Sequence, residues 1–135
     1  MQILYLKRLF WPLLAIGFSI FIFWIIIMAD LGQKTGLSHF VRGLPHGDKF
    51  GHFILYGILA FLVNMALNNK KIKILSFQVL LGAAAVLIFA VLEEFTQIKL
   101  QTRDFELLDI ICDLGGIVCF SWLSLQVADW LNSKS

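Results

Sequence analysis

Four apolar blocks, each close to the length needed to cross a bilayer, constrain this chain more than any other feature. A hydrocarbon core of roughly 30 Å takes about 20 helical residues at about 1.5 Å each. Leu9 to Met28, Phe50 to Leu67, Ile74 to Leu92 and Ile110 to Ala128 approach that length, the last helix starting near residue 108. With 59% hydrophobic side chains over 135 residues, the blocks leave room for one domain, residues 1–135. The expected fold is an all-α membrane protein, an antiparallel bundle of four transmembrane helices (9–28, 50–67, 74–92 and 108–128). Basic residues are sparse and split by these helices, which argues against a nucleic-acid partner.

Lys7 and Arg8 before the first block resemble the start of a signal peptide, but its length and bulky exit, Ile25-Ile26-Ile27-Met28, point to a retained helix. Lys70, Lys71 and Lys73 crowd the compact second loop, which places that loop and both termini in the cytoplasm by the positive-inside rule. Eight of the nine acids then lie on the other side, and the protein is expected to be a multi-pass protein of the cytoplasmic membrane. Cys112 and Cys119 sit seven positions apart, roughly 10 Å along a straight helix, too far to pair, and read as packing residues. Gly82-Ala83-Ala84-Ala85 and Gly115-Gly116 allow close helix approach. The long first outer loop, 29–47, has turn signals at Gly32, Gly36, Gly43 and Pro45.

The polar residues are not scattered. Asp48, His52 and Tyr56 are each four apart on one face of the second helix, and Asn64 continues that stripe two turns further. Glu94 and Gln97 end the third helix on a shared face, whereas Glu93 points elsewhere and is expected to be solvated. Arg103 precedes the fourth helix, where Asp109 and Asp113 stand one turn apart. Asp113 is placed about 6 Å deeper than Asp109, in a segment otherwise apolar enough to insert. An antiparallel bundle brings these pieces to one membrane face, so Lys49, His52 and Arg103 are expected within reach of the acids. Such crowding in a partly dry site recruits a cation or retunes the carboxylates.

At these residues the chain resembles the VanZ-like family of bacterial membrane proteins, whose named member is associated with resistance to the glycopeptide teicoplanin. Asp48-Lys49-x-x-His52-Phe53-x-x-Tyr56 looks like the family's first motif; Glu94-x-x-Gln97, Arg103 and Asp109-x-x-x-Asp113-x-x-Gly116 look like its second. Thr96 and Thr102 depart from the pattern. The resemblance covers the chain from about Leu44 through the fourth helix and implies a bacterial membrane protein with a link to the cell envelope.

Three functions fit this pattern. The first is an outward-facing site for an anionic lipid or lipid-linked cell-wall precursor, contacted by Lys49, Tyr56, Gln97 and Arg103. The second is a membrane-embedded hydrolase or transferase in which His52, Glu94, Asp109 and Asp113 are the catalytic candidates, with a divalent metal held by Glu94, Asp109 and Asp113 if one is present. The third is a buried ion-pair network, oriented by Asp48, Asn64 and Gly116, that serves to fix the helices while a partner protein does the work. The oligomeric state is left open.

Overall fold

In a computed structural model that describes residues 2–33, 35–99 and 106–134, the chain is mostly helical. Helix α1 runs Gln2–Asp30, the short α2 Gly36–Arg42 and α3 Gly47–Ala66; strands β1 (Lys71–Ile74) and β2 (Phe77–Leu80) lead into α4 (Leu81–Gln97), and α5 covers Leu107–Ser133. Three helices are long and apolar enough to cross a membrane: Leu9–Asp30 of α1, then α3, then α5. The loop expected at 29–47 contains α2, whose Val41 lies close to Gly51 of α3.

The expected helix over 74–92 is corrected at both ends. Residues 71–80 form an antiparallel hairpin in which Lys71 pairs with Leu80 and Ile74 with Phe77, and α4 begins only at Leu81. A short apolar run reads the same as strand or helix by hydropathy alone. Here Ile72, Ile74 and Val79 are β-branched residues separated by Lys73 and Gln78, a period of two that suits strands. Asn68 and Asn69 both take positive φ, which stops α3 and turns the chain back. The fold is therefore helical with one small sheet, and α4, at 17 residues, reaches about 25 Å.

Helices α3 and α5 run side by side in the same direction, pairing His52 with Asp113, Asn64 with Ser121 and Asn69 with Ser124. Helix α4 runs against both, with Ala83 beside Asn64 and Glu93 beside Tyr56. Helix α1 also opposes α3, setting Trp11 edge-on to Phe61 and Phe23 at a tilt to Phe89 of α4.

Glycine sets how near α3 and α5 come. A Cβ on Gly116 would lie 2.0 Å from the Phe53 carbonyl oxygen, and one on Gly57 would lie 2.5 Å from the Phe120 ring. Each helix thus offers a glycine to the other's phenylalanine, and the two rings meet edge to face at 6.3 Å. With bilayer hydrocarbon as apolar as the side chains themselves, association of this kind depends on close packing and on hydrogen bonds. Asn64 supplies the latter: fully buried, it accepts from the Ala83 backbone N–H at 3.0 Å and donates to Ser121 Oγ at 2.9 Å. Leu80, at the N-cap of α4, has no side-chain acceptor, so Asn64 caps α4 from a neighbouring helix. The small-residue run at 82–85 serves this contact, since a Cβ on Gly82 would fall 2.4 Å from Asn64 Oδ1.

Leu59, Ala60, Val86, Ala90 and Ile117 form an apolar layer above the Asn64 level. Large apolar side chains such as Leu13, Ile16, Ile20, Ile27, Leu114, Val118 and Trp122 face outward, a surface suited to hydrocarbon rather than water.

Gly116→Ala forces the α3 backbone away and is expected to destabilise the protein by about 1–3 kcal/mol in detergent unfolding. Gly17→Ala, where nothing lies within 4 Å of the added Cβ, is expected to be neutral or mildly stabilising. Equal effects of the two substitutions would contradict the close α3–α5 contact.

Candidate functional site

One turn above the glycine contact, the same α3–α5 register sets Lys49 and His52 opposite Asp109 and Asp113. His52 Nδ1 lies 3.0 Å from Asp113 Oδ1, and its Nε2 lies 3.6 Å from Asp109 Oδ2. Asp113 is fully buried, and its Oδ2 has no hydrogen-bond partner among the described residues. With Asp113 ionised, the pairing makes Nδ1 the donor and leaves the Nε2 lone pair on the side of Asp109. The imidazole also stacks on Tyr56, the rings 5.9 Å apart and 13° from parallel.

Lys49 sits at the outer rim. Its ammonium donates to Asp48 at 3.1 Å, to Asp109 at 3.4 Å and, closely, to Glu106. Asp48, expected on the buried stripe, is more than half exposed and touches the cluster through Lys49.

The last turn of α4 closes the site from the third side. Gln97 donates through Nε2 to Glu93 at 3.0 Å and to Glu94 at 3.1 Å, so one amide holds two carboxylates. Glu94, fully buried, also accepts the Glu106 backbone N–H at 3.0 Å, one of the free donors at the start of α5. Glu93 is not the solvated residue that its position suggested. It is buried and accepts from the Tyr56 hydroxyl at 3.3 Å. Val86, Ala90, Glu93 and Gln97 lie three or four apart on one face of α4, and two of them line the core, so helical spacing carried the signal.

Glu106 is the other residue that the sequence reading passed over. It binds Lys49 by its side chain and Glu94 by its backbone, tying α3, α4 and α5 together. Its place three before Asp109, just ahead of α5, was the available clue. Asn64 lies outside the cluster, in the second polar layer, and Gly116 acts through the helix contact. Arg103 falls outside the described residues.

Four carboxylates of the cluster, Glu93, Glu94, Asp109 and Asp113, are buried, and among the described residues the charged partners at hand are Lys49 and His52. Uncompensated buried carboxylates are costly. Two sets bring potential ligand atoms within 4.8 Å of one another: His52, Glu94 and Asp109, and Asp48, Glu106 and Asp109. The set expected from sequence, Glu94, Asp109 and Asp113, is thus rearranged, with His52 beside Glu94 and Asp109 and Asp113 behind His52.

Below Lys49 a cleft of about 490 Å³ opens between the chain leading into α3 and the side of α5. Leu44, Pro45, Phe50, Phe53 and Cys112 give it largely apolar walls, and Lys49 stands on its lining.

Removing His52 leaves a buried carboxylate without its donor, so His52→Leu is expected to cost about 3–5 kcal/mol. The double change His52→Leu with Asp113→Leu is expected to recover part of that loss, giving a coupling above about 1 kcal/mol in a double-mutant cycle. Additive effects would show that the two side chains do not interact. Compared with family models, curated proteins and solved structures, the chain has no match, and its site is read from its geometry.

Proposed function

We propose that this chain is a four-helix protein of the bacterial cytoplasmic membrane, VanZ-like in type, whose non-cytoplasmic polar site takes the head group of an anionic lipid or lipid-linked cell-envelope precursor. The observation that carries this reading is the apolar cleft with Lys49 on its lining. An amphipathic ligand has the matching shape, with an acyl or isoprenoid chain along Phe50 and Phe53 and a phosphate or carboxylate at the Lys49 ammonium. A charge-assisted hydrogen bond there gives the head group its hold when the ammonium exchanges its contact with the exposed Asp48 for the ligand oxygen.

The hairpin supports this orientation. Lys70, Lys71 and Lys73 are exposed at the far end of α3 from the site, which suits a cytoplasmic loop and puts the cluster on the opposite side. In this arrangement α4 is the fourth span, its short length extended by the apolar residues of β2. The VanZ-like resemblance is supported by the meeting of its motif residues Lys49, His52, Glu94, Gln97, Asp109 and Asp113 at one end of the bundle. On this reading the link to glycopeptide response runs through the envelope lipid that the site handles.

The His52–Asp113 pair favours one second reading, a hydrolase or transferase acting on the same head group. A buried imidazole oriented by a carboxylate is a suitable general base. The two readings separate at His52: a binder keeps its ligand when His52 is replaced by Gln, and an enzyme keeps the ligand but loses turnover.

Binding of a short-chain isoprenyl phosphate to the purified protein in detergent is expected to saturate, and the corresponding alcohol is expected to bind more weakly. Lys49→Gln is expected to weaken the phosphate by about tenfold, with little change for the alcohol. Equal affinity of wild type and Lys49→Gln for the phosphate would remove the proposal.

A further inference from the structure

Around His52 the acids Glu94, Asp109 and Asp113 are buried together, and the groups of the cluster are arranged unequally. The outer set, Asp48, Glu106 and Asp109, already surrounds the Lys49 ammonium, which hydrogen-bonds to all three. The inner set, His52, Glu94 and Asp109, has no lysine at its centre among the described residues. It mixes one imidazole nitrogen with two carboxylates, all within 4.8 Å of one another.

We infer that His52, Glu94 and Asp109 form a binding site for one divalent transition-metal ion, such as Zn²⁺ or Mn²⁺, with Asp113 as a positioning residue behind His52.

Distances favour this assignment. Two ligands at about 2.1 Å from a tetrahedral ion lie about 3.4 Å apart, and His52 Nε2 is 3.6 Å from Asp109 Oδ2. That separation is too long for a good hydrogen bond and short enough for a shared ion. The second shell is also in place. Asp113 Oδ1 holds His52 Nδ1 at 3.0 Å, the carboxylate–histidine arrangement that fixes the tautomer and turns Nε2 toward a metal. Glu94 is oriented by the Glu106 backbone N–H and by Gln97, and Asp109 by Lys49, and each carboxylate oxygen so engaged keeps a further lone pair. Asp113 Oδ2, buried and without a hydrogen-bond partner among the described residues, is a separate sign that a donor or cation is wanted at this depth. A site of one imidazole and two carboxylates selects nitrogen- and oxygen-binding transition metals over calcium.

A metal with three protein ligands keeps a coordination position for a further oxygen. Its use for a phosphate oxygen rests on the head-group reading above. The metal binding itself does not.

The experiment is equilibrium dialysis of chelator-stripped protein in detergent against Zn²⁺ or Mn²⁺, with elemental analysis. About one ion per chain is expected for the wild type, and His52→Ala, Glu94→Gln and Asp109→Asn are each expected to abolish stoichiometric binding. Asp113→Asn, which spares the ligands, is expected to weaken binding about 10–100-fold, and Asp129→Asn, at an exposed acid near the end of α5, is expected to leave it unchanged. Should a variant fail to fold, the wild type still decides, because bound Mn²⁺ must broaden the His52 imidazole resonances by NMR. No bound ion in the wild type, or binding that survives loss of His52, overturns the assignment. Repeating the isoprenyl phosphate titration with chelator present separates the two proposals: phosphate binding through Lys49 in protein that takes up no metal leaves the head-group reading standing and ends this one.

Discussion

Helices α3 and α5 approach so closely that the Gly116 Cα faces the Phe53 backbone and Gly57 lies under the Phe120 ring, and the positions of all other functional groups follow from that contact. Two parallel helices in such contact have a fixed register. Four residues beyond Gly57 toward the site end, α3 presents Phe53 with its neighbours His52 and Lys49; α5 presents Asp113 and Asp109 one and two turns from Gly116 and Ile117. The ion pairs are a consequence of this register, and they reinforce it. At the other end, Asn64, Ser121, Asn69 and Ser124 repeat the pairing with neutral groups. The apolar layer between the two ends keeps them separate.

Charge governs the outer end. Among the described residues Lys49 serves the rim, where Asp48 and Glu106 are also open to solvent. Deeper in, where Glu94 and Asp113 are fully buried, hydrogen bonds from Gln97, Tyr56 and the first turn of α5 divide the load among the carboxylates. A divalent ion at His52 and a head group at Lys49 would complete the balance from opposite signs, the ion offsetting the acids and the anion offsetting the ion. The cleft beside Lys49 gives the apolar part of such a ligand a place between α3 and α5.

Much of this was legible in the sequence. Span length located α1, α3 and α5, because twenty apolar residues have few alternatives. Helical spacing identified His52, Tyr56, Asp109 and Asp113 as members of one cluster, and Gly116 and Gly82 as points of close approach. Hydropathy misplaced the start of α4, since it counts Ile74 and Phe77 as apolar without registering that they pair across a turn. Glu93 was misjudged and Glu106 passed over for a related reason. Their burial and partners depend on which face of α4 meets Tyr56 and on how α5 begins, and both are tertiary facts. The exchange of Asp113 for His52 in the inner set has the same origin: the depth of Asp113 was readable, but not that His52 stands between it and Asp109.

The site depends on His52 lying against Asp113 in the protein as it sits in lipid. Solid-state NMR of the wild-type protein in bilayers, with ¹⁵N in the histidine ring and ¹³C in the aspartate carboxyls, measures that proximity through the dipolar coupling between His52 Nδ1 and the Asp113 carboxyl carbon. The N···O contact of 3.0 Å predicts a strong coupling for this pair and a weaker one to Asp109. Absence of coupling to Asp113 would contradict the α3–α5 register and the site built on it.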